Sequence, residues 1–297
     1  MTTTTASFAA RTVFRVGYGA LQLQRLHDRR DEAVALLRRA VELGVDHVDT
    51  AEFYGSGFAN DVIREALRPE DDVLVVTKVG ADPDPGGPLP LRLAQRPEQL
   101  RASVEDNLRS LGVDRLAVVN LRRLDTGPGL RPEGDQVVDL DDQLAVMTAL
   151  RDEGKIGAIG LSSVTLDGLR RALPAGIVCV QNAYSLVSRD DEDMLRLCTA
   201  EGIAWVPFFP LGGAFPGLPK ATDEPAVHAV AASLGVTPSQ VGLAWLLHHA
   251  PNVLLIPGTA DVAHLEANIA VSELTLDAAT LATLDGIESR SNEGPIG

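Results

Sequence analysis

Four residues of this 297-residue chain have the types and placement to act together in acid–base chemistry: Asp49, Tyr54, Lys78 and Arg122. Each closes or follows a short apolar run. Asp49 ends one and leads into Thr50-Ala51-Glu52-Phe53-Tyr54-Gly55, while Thr77-Lys78 and Asn120-Leu121-Arg122 end two others. A phenol with an ordinary pKa of about 10 is a poor acid–base catalyst at neutral pH, but a neighbouring ammonium favours the phenolate. A fall of about two pKa units corresponds to roughly 2.7 kcal/mol, within reach of one close, partly desolvated charge. Lys78 is expected to supply that charge, with Asp49 anchoring it and holding it protonated. Taken singly, each residue has an ordinary structural explanation: a helix-capping Asp, a solvated Lys, a loop-plugging Tyr. They become a chemical set only if the fold brings them to one mouth.

The elements that would do so recur along the chain. Eight β-branched runs read as strands: Val13 to Tyr18, Asp46 to Asp49, Val73 to Lys78, Arg115 to Asn120, Ile156 to Gly160, Ile177 to Gln181, Ile203 to Phe208 and Val253 to Ile256. Segments of helical period lie between them. Asp31 to Leu43 places Val34, Leu37 and Val41 on one face and stops at Gly44; Glu98 to Leu111 does the same and stops at Gly112. Thr237-Pro238 opens a further helix with an N-cap and a proline at its first position. Eight βα pairs in one chain predict a single (β/α)8 barrel over residues 1–297, with a flexible segment 1–12 and a short tail 289–297. In such barrels chemistry sits at the C-terminal ends of the strands. A doubly wound sheet is rejected, because Gly17-Tyr18-Gly19-Ala20-Leu21-Gln22 lacks the third glycine of a dinucleotide fingerprint and is followed by HDRRD instead of a prompt helix. Three long Gly/Pro-rich loops, 80–97, 123–138 and 210–222, fall on the face where a barrel does its chemistry.

Composition narrows the partners. Twenty-six Lys+Arg against 41 Asp+Glu give a net charge of −15 and a pI near 4.8, which disfavours nucleic acid and anionic membranes. The longest apolar run, Ile203 to Leu211, holds two prolines and is half the length of a membrane helix. The N-terminus lacks a basic leader with an apolar stretch. Cys179 and Cys198 stand alone, so no metal site or disulfide is expected, and a cytoplasmic protein, monomeric or weakly self-associating, is.

The run DHVDTAEFYG closely resembles the signature of the aldo-keto reductases, whose catalytic Asp and Tyr stand at the spacing of Asp49 and Tyr54; VVTKVG resembles the strand carrying their catalytic Lys, here Lys78. LGVDRLAVVNLR, IGLSSV, VQNAYS, PFFPLGG and IPGT follow in the family's order, so the resemblance spans nearly the whole chain. It implies a (β/α)8 barrel that reduces aldehydes or ketones with NADPH. The family usually has His in the fourth catalytic position, where this chain has Arg122. A guanidinium is always charged and only donates, so Arg122 is expected to polarise the carbonyl, tune Tyr54 or grip an anionic substrate oxygen, and not to shuttle protons.

The resemblance also implies a cofactor site. Ser162 and Gln181 match residues that hold the nicotinamide carboxamide, with Ser163 in place of the usual Asn. Phe208 matches the aromatic that stacks on the nicotinamide, and Pro210, Leu211 and Gly212 the loop along the pyrophosphate. Ala20 and Leu21 belong to the same set. Ile256, Pro257, Gly258 and Thr259 begin the adenosine-phosphate segment, followed by His264 and Asn268. Relatives carry Lys near Gly258 and Arg near His264; here the nearest charges are Asp261 and Glu266, so the phosphate is expected to rest on Thr259, His264 and helix N-terminal amides. NADPH is the expected cofactor, with NADH admitted as a second donor.

The run VVNLR, with VQNAYS and IPGTADVAHLEAN, looks like the bacterial pyridoxal reductase branch, and an aromatic aldehyde with a phenolate oxygen suits a permanently cationic Arg122. Another carbonyl in secondary metabolism is the alternative substrate. A nucleotide-holding redox sensor is the alternative class, although neither an apolar docking stripe nor an inactivating N-terminal segment is evident. The few residues after the last helix imply an open site without a long C-terminal closing loop.

Overall fold

The computed structural model describes residues 3–87, 89–127, 129–213 and 215–291. Among them, seven parallel strands run side by side in chain order: β1 (Tyr18–Gly19), β2 (His47–Asp49), β3 (Leu74–Val79), β4 (Leu116–Arg122), β5 (Ile156–Ser162), β6 (Ile177–Gln181) and β7 (Ala204–Trp205). Residues 253–255 fill the gap between β7 and β1. Leu254 N donates to Trp205 O at 2.8 Å, and Gly17 N to Leu255 O at 2.7 Å, with parallel bridges Trp205–Val253 and Val16–Leu255. The sheet thereby curls into the expected (β/α)8 barrel.

Ten helices of the described residues wrap it: α1 (Arg30–Glu42), α2 (Phe58–Ala66), α3 (Pro97–Leu111), α4 (Leu140–Asp152), α5 (Leu166–Ala172), α6 (Glu192–Glu201), α7 (Pro225–Leu234), α8 (Pro238–His249), α9 (Val262–Ala270) and α10 (Ala278–Asp285). Their boundaries follow local chemistry. α3 ends at Gly112 in the left-handed conformation, and α8 opens on a capping box between Thr237 and Gln240. The buried faces of α1, α3 and α8 join one large apolar shell outside the sheet. No single helix among the described residues is long and apolar enough to cross a membrane.

Several sequence expectations need correction. The run Val13 to Tyr18 is not one strand. Its first part pairs backwards in an antiparallel hairpin, Thr5–Phe8 with Arg11–Phe14, so residues from Thr5 to 12 are ordered where a flexible lead-in was expected. Phe8 and Val13 are buried and join Val76, Val118, Cys179, Val206 and Leu254 inside the barrel, closing its lower end. Phe14 N meanwhile donates to the Asp46 carboxylate, at 2.9 Å to Oδ2. Just beyond, the buried Arg15 donates to Val253 O at 3.0 Å and Ala250 O at 2.6 Å, and burial pushes its pKa down to about 10. The run Ile203 to Phe208 is regular strand only at Ala204–Trp205; Val206 and Phe208 still donate to Val180 O and Asn182 O, while Pro207 between them has no N–H to give to the strand's other side. Conversely, β4 and β5 each run two residues further than their apolar patterns, which makes Arg122 and Ser162 strand residues. Of the expected tail 289–297, Ser289 and Arg290 bond to Arg189 N and Val187 O, and residues 292–297 lie outside the described residues.

Strand register places the site. Side chains alternate in and out, so the residues two beyond the interior Val76 and four beyond Val118 also face inward. These are Lys78 and Arg122. Gly19 pairs with Asp49, Arg122 with Ser162, and Ser162 with Gln181, so three polar residues lie at one level around the C-terminal rim.

Candidate active site

The rim opens into a cavity of about 1230 Å3 lined by Asp49, Tyr54, Lys78 and Arg122 at one end. Lys78 Nζ donates to Asp49 Oδ1 at 2.5 Å and to Thr50 O at 3.0 Å, and it lies 5.1 Å from the centre of the Tyr54 ring. Gln181 Nε2 donates to the other Asp49 oxygen at 2.7 Å. Burial by itself would lower the Lys78 pKa. The charge of Asp49 and its hydrogen bond to Lys78, with the Tyr54 phenol nearby, outweigh it and leave the ammonium held above its ordinary value. Arg122 stacks 5.3 Å from the Phe53 ring centre, and burial pushes its pKa down while Tyr54 opposes that shift. The structure thus brings together the four residues the sequence singles out.

The Tyr54 loop is braced from behind. Thr50 Oγ1 donates to Asn60 Oδ1 at 2.8 Å, and Asn60 Nδ2 donates to Glu52 Oε2 at 2.6 Å. Ser110 of α3 reaches the same Glu52 oxygen at 2.6 Å. Burial raises the Glu52 pKa against the opposing pull of those two hydrogen bonds. On the other side, Gln95 Nε2 donates to Gly80 O at 2.7 Å and Arg122 O at 2.8 Å, tying the ends of β3 and β4 together. Gln95 is itself held by Gln143 of α4. Asn60 and Gln95 are functional supports that sequence reasoning missed. Their only signal was a polar residue standing inside an otherwise apolar helix face or a long loop.

Of the residues expected to hold a cofactor, Leu21, Ser162, Gln181, Phe208, Pro210, Leu211, Gly212, Ile256, Pro257, Gly258, Thr259, His264 and Asn268 line the same cavity. Ala20 does not; it is fully buried at the start of a 3-10 turn. Phe209, Gln22 and Gln240 also line the cavity and went unremarked in the sequence. Two observations suit a nicotinamide dinucleotide. Gln181 Oε1 is buried with no hydrogen-bond partner among the described residues, so it is an acceptor waiting for an amide. Gly19 and Gly258 touch backbone to backbone: a Cβ on Gly19 would stand 2.4 Å from Ile256 O, and one on Gly258 would stand 2.6 Å from Gly19 O. The adenosine end differs from expectation. Asp261 caps α9, taking the His264 N–H at 2.9 Å, so a carboxylate occupies the place where free amides were expected to meet a phosphate.

This barrel, with an Asp–Lys pair beneath a tyrosine at its C-terminal rim, is that of an oxidoreductase. Residues 15–289 match the aldo/keto reductase family, and the chain belongs to it. It is 46% identical over 296 residues to pyridoxine 4-dehydrogenase of Escherichia coli, covering 97% of this chain and 99% of that one. An uncharacterized oxidoreductase of Schizosaccharomyces pombe is 33% identical over 92% of this chain and 86% of its own length. Among solved structures, an aldo-keto reductase from Klebsiella pneumoniae in complex with NADPH superposes with a TM-score of 0.78 at 28% identity, covering 96% of this chain and 95% of that one.

Proposed function

We propose that this protein is an NADPH-dependent carbonyl reductase that interconverts pyridoxal and pyridoxine, with Tyr54 as general acid. The observation that carries the proposal is the contact of Lys78 with both Asp49 and Tyr54 at the cavity floor. The relative named pyridoxine 4-dehydrogenase and the structural neighbour bound to NADPH support the choice of substrate and cofactor.

A reduced nicotinamide, when bound, supplies the hydride that reaches the carbonyl carbon. Ser162 and Gln181 would hold its carboxamide, and Phe208 would pack on its ring. The chain's own residues handle the oxygen. Tyr54 gives its proton to the oxygen as negative charge develops there, and recovers a proton from water afterwards. Lys78 stabilises the phenolate left behind, Asp49 keeps Lys78 charged, and Gln181 fixes the Asp49 carboxylate. Arg122 orients and polarises the carbonyl oxygen from the end of the neighbouring strand β4. The alcohol is oxidised by the reverse course.

The test is a panel of aldehydes and ketones that includes pyridoxal, assayed by loss of reduced-nicotinamide absorbance with NADPH and NADH in parallel. Pyridoxal turnover is expected with NADPH, and NADH is tested as a second donor. Tight nucleotide binding without turnover of any carbonyl would overturn the proposal and leave a nucleotide-holding sensor in its place.

A further inference from the structure

Arg122 differs from the other enclosed cations of this chain. Lys78 is neutralised by Asp49, Arg15 is satisfied by backbone carbonyls, and the neighbouring Arg123 meets Asp125 at 3.0 Å. Among the described residues the Arg122 guanidinium makes no hydrogen bond or ion pair; what surrounds it is the Phe53 ring, Tyr54 and the open cavity. Its side chain lies one ladder step further out than Lys78, because Lys78 pairs with Asn120 while Arg122 pairs with Ser162. Of the ionisable side chains that line the cavity, Asp49 and Lys78 cancel, Tyr54 is a phenol, and His264 belongs to the far, adenosine end. The mouth therefore carries one net positive charge, on a planar fork suited to two oxygens. A half-buried guanidinium with no counter-ion of its own among the described residues favours a ligand that brings the charge.

We infer that Arg122 is an anion seat that sets the substrate class: carbonyl compounds carrying an ionised oxygen, phenolate or carboxylate, beside the carbonyl group. The inference rests on the carbonyl-reductase proposal and deepens it. Arg122 then acts on the neighbouring oxygen as well as on the one that Tyr54 protonates, and it sorts substrates by charge next to the reacting carbon.

The experiment uses the full chain with saturating NADPH and compares 2-carboxybenzaldehyde and salicylaldehyde with benzaldehyde, 2-methoxybenzaldehyde and 4-carboxybenzaldehyde. One charge-assisted contact should raise kcat/KM for the two ortho-charged aldehydes by about 10-fold or more over the others. Arg122→Met should bring that ratio to about one, and Arg122→Lys should keep part of it. The preference for salicylaldehyde should grow as its phenol ionises, whereas that for 2-carboxybenzaldehyde should stay flat with pH, which separates phenolate from carboxylate recognition. Benzoate binding to the NADPH-loaded protein, read by quenching of nicotinamide fluorescence, should weaken in Arg122→Met even if that variant no longer turns over. Equal loss on every aldehyde with unchanged benzoate binding would overturn the inference and leave Arg122 a polariser of the carbonyl only. So would a wild type indifferent to ortho charge. If the wild type reduces none of these aldehydes and no pyridoxal, the reductase proposal fails, and the benzoate measurement still decides whether Arg122 seats an anion.

Discussion

Lys78 Nζ lies 2.5 Å from Asp49 Oδ1, and the pair is almost sealed from solvent, with side-chain exposures of 7% and 4%. Neither partner can be removed without stranding the other's charge. Asp49→Leu should cost about 3–5 kcal/mol in the free energy of unfolding, measured by denaturant titration, and Lys78→Met a similar amount. Lys78 has a folded-state pKa raised above the ordinary 10.5, so its contribution is complete below that pH and is lost as pH rises through the folded value. The stability gap between wild type and Lys78→Met should therefore persist through neutral and mildly alkaline pH and narrow in strongly alkaline solution.

Tyr54→Phe keeps the ring and removes the proton. Turnover of pyridoxal should fall by about 10²-fold or more, while nucleotide binding, followed by fluorescence titration, stays within a factor of a few. Near-wild-type turnover in this variant would exclude Tyr54 as the acid.

Glu52 has a raised pKa, so the folded state binds its proton more tightly than the unfolded chain does. Ionised Glu52 thus weakens the fold as pH rises above the ordinary 4.5 and through the folded value. Glu52→Gln removes that charge but can still accept from Asn60 and Ser110. Its melting temperature relative to wild type should rise between mildly acidic and neutral pH.

Gln95→Ala removes the side-chain hydrogen bond to the Arg122 carbonyl and leaves the Gly80 carbonyl with the Ala94 N–H alone, and should cost about 1–3 kcal/mol of stability. Because Gln95 touches no reacting atom, its second effect should appear in KM for the carbonyl substrate, as the ends of β3 and β4 lose their tie. Steady-state kinetics with pyridoxal separates the two readouts.

Gly258→Ala places a methyl 2.6 Å from Gly19 O, a backbone atom that cannot step aside. Overpacking of this kind costs about 1–3 kcal/mol. NADPH affinity should drop, because the displaced segment lines the cavity beside Thr259.

The barrel and its polar rim were legible because each rests on short-range pattern: short apolar, β-branched runs, helices ending at Gly44 and Gly112, and polar residues where apolar runs stop. What escaped is long-range. The hairpin that breaks Val13 to Tyr18 exists because Phe8 and Val13 find the barrel interior, which local pattern does not reveal. Residues 253–255 are held by bonds to Trp205 and to Arg15 and Gly17, partners far away in the chain. Arg122 was visible as a charged residue, but that no carboxylate among the described residues pairs with it became visible only once the surrounding loops were placed. Likewise the phosphate-binding role expected of the α9 amides overlooked that Asp261 caps its own helix.

Arg15 reaches carbonyls 235 and 238 positions further along the chain. During synthesis the first strand segment leaves the ribosome long before the residues that bury it exist. The hairpin and its plug of Phe8 and Val13 must wait, exposed, for the last quarter of the protein, and closure of the ring is a late, high-contact-order event. Truncation before Ala250 should therefore leave a chain open at both edges, prone to pair with another copy of itself instead of ending as a smaller stable barrel.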